Sequence, residues 1–190
     1  DSQAMTTGHA EVLPGQVQAA LAAAGLAPTD ISLFGATVGP GSFTGVRIGL
    51  AALAGLALGA GRPMVGITRF ALYAACLPDP ASETRAWVCL DSRRGPVFVQ
   101  AVNAVTGAWQ PCGEPAALTP ADAARLVAED LVAGDAAARL GEGGAPVARL
   151  VSAEPTPADL ARAIAAAAGR ANPHCPAPLY LAAAAVTPPP

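Results

Sequence analysis

The residues with the clearest chemical potential lie in one loop, 38–49, whose sequence is VGPGSFTGVRIG. A glycine-rich loop that follows an apolar strand and opens a helix can bind phosphate through free backbone N–H groups. The P-loop version needs a lysine, which this chain lacks. Its first three glycines form GxGxxxG, one residue longer than the dinucleotide fingerprint, and no acidic residue follows about twenty positions later. Ser42 and Thr44 can instead cap the helix, so we favour a structural role for the loop.

Histidine and cysteine side chains, which bind zinc and act in hydrolases, are few and scattered. His9 and His174 lie far apart, and no cysteine forms a CxxC pair or has histidine at metal-ligand spacing. The sequence therefore predicts no metal and no cofactor, and reduced thiols typical of a cytosolic protein. A hydrolase triad of Ser42, His9 and Asp91 can be imagined. We favour simpler roles, a helix cap for Ser42 and turn hydrogen bonding for Asp91.

Charge argues against direct nucleic-acid binding by the chain as a whole. The net charge is −3 and the eleven basic residues are all arginine, so the chain has no general excess of positive charge for phosphate. The adjacent pair Arg93 and Arg94 is a candidate exception that could contact RNA phosphate or an acidic group on a partner. The uncharged run between Arg47 and Arg62 is expected to be too short and too glycine-rich to span a membrane, and no secretory signal is expected at the start.

Helices and strands alternate in the predicted pattern, which indicates an α/β protein. Pro14 fits its helix only in the first turn, and the first buried strand is expected to have strands on both sides. The first part is predicted to contain helices over 9–25, 43–60 and 68–76 and strands over 31–38 and 64–67. The later part is predicted to contain a hairpin of strands 86–91 and 96–102, and helices that begin at 119–122 and 156–159 with a threonine N-cap followed by proline.

The predicted helix 43–60 is unusual because it contains four glycines. Each glycine inside a helix costs roughly 1 kcal/mol relative to alanine, so something should offset that cost. Gly45, Gly49 and Ala52 lie at positions i, i+4 and i+7 and therefore line one side of the helix. Such a small-residue face favours close backbone approach to another helix.

Several segments together resemble the TsaB family, formerly called YeaZ. GPGSFTGVRIGLAALAGLALG followed by RPMVGITRFALYAA looks like the family signature, whose loop here is Gly39, Pro40, Gly41, Ser42 and Thr44. GHAEVLPGQVQAALAAAGL looks like the family's first long helix, DSRRGPVFVQAV resembles its hairpin, and PAPLYL resembles its C-terminal segment. Two departures stand out: the strands that usually open the family are missing, and Ala182 replaces the arginine that usually follows Tyr180-Leu181.

The resemblance implies the two-lobed actin/Hsp70-like (ASKHA) fold, here without its N-terminal strands. A break at 77–82 then separates an N-terminal lobe, 1–78, from a C-terminal lobe, 79–170. The tail 171–190 is expected to pack back on the first lobe. TsaD-type enzymes of this superfamily hold a metal with a His-x-x-x-His pair, and the corresponding segment 68–76 contains no histidine.

The resemblance also implies a function, that of a catalytically silent, cytoplasmic partner of the TsaD transferase. That enzyme makes N6-threonylcarbamoyladenosine (t6A37) in tRNA, with a TsaE-like ATPase joining the pair and tRNA reached only through the complex. Whether the chain forms a homodimer alone is left open, and no membrane contact is expected. The expected interface on the first two helices comprises Leu13, Val17, Leu21, Gly45, Gly49, Ala52 and Leu53. Alternatives are a stand-alone nucleotide-binding transferase and a glycoprotease-like hydrolase of the same superfamily.

Overall fold

Helices and strands alternate along the chain, as predicted. The computed structural model describes residues 9–80, 84–93, 95–144, 149–151, 154–171 and 174–181. The helices are α1 His9–Ala23, α2 Phe43–Ala60, α3 Arg69–Ala74, α4 Pro120–Val127, α5 Ala137–Glu142 and α6 Pro157–Ala166. The strands are β1 Phe34–Gly39, β2 Met64–Thr68, β3 Arg85–Asp91, β4 Val97–Val105, β5 Ala108–Leu118, β6 Val132–Ala133 and β7 Leu150–Val151. The α/β class is therefore confirmed.

The chain divides into two compact units. Unit 1 takes the described residues up to Thr68 together with Ala161–Tyr180, and unit 2 takes Arg69–Leu160. Unit 1 is thus built from two stretches of chain, with most of unit 2 inserted between them. The predicted lobe bounds, 1–78 with 171–190 and 79–170, stay a prediction.

Unit 1 is a parallel strand pair with helices on its faces. β1 and β2 pair from Phe34 opposite Met64 to Thr37 opposite Ile67, and α2 connects them. The buried residues Phe34, Met64 and Ala57 form one apolar cluster between the sheet and α2, and Leu50 of α2 lies in a second one. Within the described part of the chain, β1 pairs with β2 alone.

Unit 2 is a five-stranded sheet in the order β5-β4-β3-β6-β7. The predicted hairpin is confirmed, since β3 and β4 are antiparallel with Trp87 opposite Ala101. The strands β6 and β7 add in parallel. One cluster of buried residues joins the sheet to α4 and α5, and it includes Trp87, Cys89, Val99, Val127 and Leu140.

The capping signals in the sequence are confirmed by geometry. Thr119 Oγ1 accepts a hydrogen bond from the Asp122 N–H at 3.1 Å, and Thr156 Oγ1 accepts one from the Asp159 N–H at 3.2 Å. The carboxylate of Asp159 returns the contact by accepting from the Thr156 N–H at 2.8 Å. Each threonine therefore satisfies a donor that the first turn of its helix would leave unpaired.

One expectation from the sequence is wrong, and the helix that contains most of a second predicted segment is longer than that segment. Pro14 lies inside α1, beyond the first turn. Proline removes one N–H donor from the helix, and the other fourteen residues of α1 keep the helical conformation. The uncharged run between Arg47 and Arg62, expected to be too short and too glycine-rich to span a membrane, lies mostly within the longer helix α2, Phe43–Ala60. By length and composition those 18 residues could cross a membrane, and 11% of them are buried within the structure. The difference arises because the helix starts four residues before Arg47 and includes it.

Candidate functional site

The signature loop joins β1 to α2 and is held by its own side chains and backbone. Ser42 Oγ accepts a hydrogen bond from the Gly45 N–H at 3.2 Å, so this residue caps α2, as we favoured from the sequence. Gly39 has φ +109°, a backbone conformation that suits glycine. A Cβ at Gly39 would also lie 2.6 Å from the carbonyl oxygen of Leu179. The loop therefore needs glycine at this position both for its turn and for close contact with the end of the chain.

The C-terminal segment, His174–Tyr180, packs against this loop and the strand pair. The Leu179 N–H donates to the Val38 carbonyl at 2.7 Å, and the Leu179 side chain packs beside Leu50 of α2. Gly66 of β2 provides space for Pro176, because a Cβ there would lie 2.7 Å from the proline Cβ. The segment thus belongs to unit 1 through contacts with both strands and α2.

Three side chains form a cluster at the start of α2, which we call the Arg47 cluster: Phe43, Arg47 and Tyr180. The guanidinium of Arg47 lies 3.8 Å from the centre of the Phe43 ring. Its Nε donates to the Tyr180 hydroxyl at 2.9 Å, and the two aromatic rings are 4.9 Å apart. This cluster connects α2 to the C-terminal segment at the surface of unit 1.

The rest of α2 is apolar and largely uncovered. Leu50 and Ala57 are its buried residues. Five exposed residues spaced three or four apart form what we call the uncovered stripe: Thr44, Arg47, Ala51, Gly55 and Leu58. Leu58 retains 85% of its accessible surface. Burial of such a leucine by a partner would gain roughly 1.5–3 kcal/mol relative to leaving it exposed.

The predicted interface residues lie on both helices, which contact each other. Gly45 is exposed, and Leu53 packs against both apolar clusters of unit 1. The half-buried members are Leu13, Val17 and Leu21 on α1 and Gly49 and Ala52 on α2. Among the described residues, nothing outside the helix backbone lies within 4 Å of a Cβ built at Gly49, Gly55 or Gly59. The close approach expected to offset these glycines is therefore not made within the described chain.

Unit 2 contains a second candidate group, an ion-paired cluster at the end of β3. Asp91 Oδ1 accepts from the Arg93 N–H at 2.7 Å, which confirms its predicted role in the turn. The same oxygen pairs with Arg139 Nη1 at 3.0 Å. Asp135 accepts from the Asp91 N–H at 2.9 Å and pairs with Arg69 at 2.9 Å. Each carboxylate therefore faces an arginine.

Two neutral acids lie in the same unit. Burial, with a contribution from the Asp135 carboxylate, raises the pKa of Tyr73 to about 12, and its hydroxyl donates to Glu154 at 3.3 Å. Burial raises the pKa of the Cys89 thiol to about 12. Both groups therefore keep their protons at neutral pH, which makes Cys89 a weak nucleophile. Among the described residues, no group of three His, Cys, Asp or Glu side chains is arranged to hold a metal ion.

Arg93 is exposed at the hairpin turn, with φ +64°, and Arg94 lies outside the described residues. The sequence did not indicate the pairing of Asp91 with Arg139, because the two are 48 positions apart and no short motif joins them. It also missed the contact between Arg47 and Tyr180, which are 133 positions apart. Arg47 lies within the motif VGPGSFTGVRIG and Tyr180 lies within PAPLYL, and their presence in these two motifs was the available signal.

The family comparison covers most of the chain. The family model described as TsaD, tRNA N6-adenosine threonylcarbamoyltransferase, matches residues 3–170. Among curated proteins, the tRNA threonylcarbamoyladenosine biosynthesis protein TsaB of Escherichia coli is 39% identical over 90 residues, which are 47% of this chain and 39% of that protein. A tRNA N6-adenosine threonylcarbamoyltransferase of Jannaschia is 44% identical over 66 residues, covering 35% of this chain and 18% of the relative. The matched segments thus span well under half of these relatives.

Solved structures extend the likeness over nearly the whole chain. A Pseudomonas aeruginosa protein described as similar to peptidase YEAZ superposes with a TM-score of 0.77 at 25% identity, covering 95% of this chain and 87% of the other. YeaZ from the same organism gives a TM-score of 0.71 at 25% identity, with 87% and 80% covered. These likenesses confirm the predicted actin/Hsp70-like fold class. The chain therefore belongs to the TsaD family and, within it, to the TsaB (YeaZ) group of paralogues.

Proposed function

We propose that this chain is a non-catalytic, cytoplasmic partner of a TsaD-like transferase in the threonylcarbamoyl modification of tRNA adenosine. Support comes from membership of the TsaB group and from the names of the relatives, which refer to this tRNA modification. In this role the chain positions its larger paralogue, a TsaE-like ATPase joins the complex, and tRNA is reached through that complex. The net charge of −3 fits a subunit that does not itself attract RNA.

The observation that carries this proposal is the exposed apolar surface of α2. A helix that is apolar on all sides is normally buried, and exposed apolar patches on soluble proteins mark interaction sites. Yet α2 has two buried residues among eighteen. The small residues Gly45, Gly49 and Ala52 leave space for a partner helix to approach closely. We place the interface on α1 and α2, with the half-buried residues Leu13, Val17 and Leu21 as its contribution from α1.

The charges of unit 2 support the non-catalytic part of the proposal. Asp91 and Asp135 are the described carboxylates nearest the end of β3, and each pairs with an arginine. The oxygens of these two carboxylates are engaged in ion pairs and hydrogen bonds within the chain. Tyr73 and Cys89 keep their protons. For Arg93 and Arg94 we propose a contact with RNA or a partner of the complex, since Arg93 is exposed at the turn.

Co-purification with the TsaD homologue of the same organism tests the proposal, with wild type compared with Gly49→Leu. A Cβ at Gly49 has no neighbour within 4 Å outside the helix backbone, so we expect the variant to fold while its interface is obstructed. Gly141→Leu is the matched control, since Gly141 is also helical, also surrounded by open space, and lies in unit 2. We expect wild type and Gly141→Leu to associate and Gly49→Leu to fail.

The contrary result separates the alternatives. If wild type fails to associate while the isolated chain binds ATP at one equivalent, the partner proposal is wrong and an independent nucleotide enzyme is favoured. If Gly49→Leu associates as well as wild type, the interface lies elsewhere than on the Gly49 side of α2. Circular dichroism of both variants checks that each remains folded.

A further inference from the structure

The uncovered stripe of α2 contains a single charged residue, Arg47. The other seventeen residues of the helix are uncharged, so a partner helix seated on α2 would meet one guanidinium in an otherwise apolar surface. A charge covered by a partner favours a counter-charge on that partner, because an unpaired buried charge is strongly unfavourable. The chemistry of the partner at this point is therefore constrained.

Contacts within the Arg47 cluster orient that guanidinium before a partner binds. One face lies 3.8 Å from the Phe43 ring, and Nε donates to Tyr180 at 2.9 Å. Among the described residues, Tyr180 is the acceptor that Arg47 engages through Nε, and the arginine is exposed, so its two terminal nitrogens remain available to a partner. Those nitrogens form the planar fork that matches a carboxylate with two parallel hydrogen bonds.

We infer that Arg47 is the polar anchor of the uncovered stripe, on the side of α2 away from Gly49, and binds an aspartate or glutamate carboxylate on an apolar helix of the TsaD-like partner. This inference rests on the proposed function and adds the partner's chemistry to it. A carboxylate suits the site better than an RNA phosphate because the stripe continues with Ala51, Gly55 and Leu58. Those apolar residues would desolvate a phosphodiester backbone without pairing its remaining oxygens.

Tyr180 acts as a positioning residue for this anchor. Its hydroxyl accepts from Nε and so fixes the plane of the guanidinium relative to α2. The segment that carries Tyr180 is itself held by the Leu179–Val38 hydrogen bond and by the space at Gly39 and Gly66. Loss of the hydroxyl should therefore release the orientation of Arg47 and leave its charge intact.

Affinity for the purified TsaD homologue, measured by calorimetry at several NaCl concentrations, tests the inference on the full chain. We expect Arg47→Gln to raise Kd about tenfold to a hundredfold and to reduce its salt dependence. Arg47→Lys should recover part of the affinity, since lysine keeps the charge but lacks the fork. Arg85→Gln is the matched control and should match wild type, because Arg85 is an exposed arginine stacked on Trp87 in unit 2.

A double-mutant cycle isolates the role of Tyr180. We expect Tyr180→Phe to raise Kd about threefold to tenfold alone and to have no further effect in the Arg47→Gln background. Additive effects would show a separate structural role and overturn the assignment of Tyr180 as a positioning residue.

Two results would overturn the anchor assignment in distinguishable ways. If wild type binds the homologue and Arg47→Gln binds with the same Kd and salt dependence, the anchor is wrong while the proposed function stands. If wild type does not bind the homologue, both are wrong. Arg47→Gln that weakens the retention of a tRNA transcript on filters, with unchanged affinity for the homologue, would assign the guanidinium to phosphate instead.

Discussion

Helices α2 and α4 differ in how much of their apolar surface they bury. The short helix α4 buries one face, with Ala123, Ala124 and Val127 against the sheet of unit 2. The long helix α2 is apolar apart from Thr44 and Arg47 but buries only Leu50 and Ala57 among its eighteen residues. Both helices are capped by a hydroxyl at the N-terminus, so the difference lies in packing and not in helix initiation.

This comparison assigns stability mainly to the core of unit 2 and partner binding to helix α2 of unit 1. Unit 2 contains a large, continuous cluster of buried residues that its own helices complete. The two clusters of unit 1 are smaller, and its helix layer leaves apolar surface exposed. We therefore expect substitutions in unit 2 to change the free energy of unfolding, and substitutions on α2 to change affinity for a partner.

The largest contrast is expected between two glycines. Gly134 has φ +126°, and a Cβ there would overlap the carbonyl oxygen of Cys89 on the neighbouring strand. Gly134→Ala should therefore lower the free energy of unfolding by about 3 kcal/mol or more. Gly55→Ala on α2 meets open space and should raise it by about 0.5–1 kcal/mol. Urea denaturation measures both, and effects of the same sign would contradict the comparison.

Substitution of two leucines, Leu90 and Leu58, should separate the free energy of unfolding from affinity for the partner, and is expected to give the second largest effects. Leu90 is completely buried in β3 and Leu58 is 85% exposed on α2. Leu90→Ala should cost about 2–5 kcal/mol of unfolding free energy, whereas Leu58→Ala should cost less than about 0.5 kcal/mol. Only Leu58→Ala should then weaken binding to the TsaD homologue at a temperature where both variants are folded. Equal losses of stability would show that α2 is covered within the chain itself.

Alkaline pH should weaken unit 2 through Cys89 and Tyr73. Folding raises the pKa of both to about 12 from 9.0 and 10.0, so the folded state keeps protons that the unfolded state releases. Their contribution is complete below about pH 9 and is lost as pH rises toward 12, at about 1.4 kcal/mol per pH unit and group. The chain has no lysine to obscure this range. Urea denaturation at pH 8 and pH 10 measures the loss, which Cys89→Ala and Tyr73→Phe should reduce. If the double variant lost as much stability between pH 8 and pH 10 as wild type, Cys89 and Tyr73 would not be the cause of the loss.

The smallest effects are expected at the two caps, where the regions should behave alike. Ser42→Ala and Thr119→Ala each remove a hydroxyl that accepts from the first turn, at a cost of about 1 kcal/mol. The Thr119 hydroxyl and Arg125 also hold the pKa of Asp122 below its usual range, so Thr119→Ala should raise that pKa in an NMR titration. Ser42→Thr and Thr119→Ser are the conservative controls, since each keeps a hydroxyl at the cap. A much larger cost at Ser42 would indicate that the signature loop contributes more than a cap.

The sequence predicted the elements whose signals are local. Threonine followed by proline marked the starts of α4 and α6, and apolar runs flanked by turns marked β3 and β4. Strand β5 was missed because Pro111, Gly113 and Pro115 interrupt its pattern, and proline is rare inside strands. Strands β6 and β7 have two residues each, too few for any periodicity. Pairing with a longer neighbour, which the sequence does not encode locally, defines them.

The candidate site also has a part that the sequence predicted and a part that it did not. Ser42 was identifiable as a cap because the helix pattern begins directly after it. The Arg47 cluster and the Asp91–Arg139 pair depend on residues brought together by the fold, so neither spacing nor residue type pointed to them. The exposure of α2 is likewise a property of the folded chain, since an apolar run alone does not distinguish a covered helix from an uncovered one.

The discontinuity of unit 1 has a consequence for the order of folding during synthesis. Its strand pair emerges from the ribosome first, but the segment that donates to Val38 and occupies the space at Gly66 follows more than a hundred residues later. Contacts so distant in sequence form slowly, because a long loop must close before they contribute. Unit 2 can therefore fold while unit 1 is still incomplete. Arg47 acquires its Tyr180 acceptor only after unit 2 has been synthesised, so the proposed anchor becomes competent later than the strand pair that carries its helix.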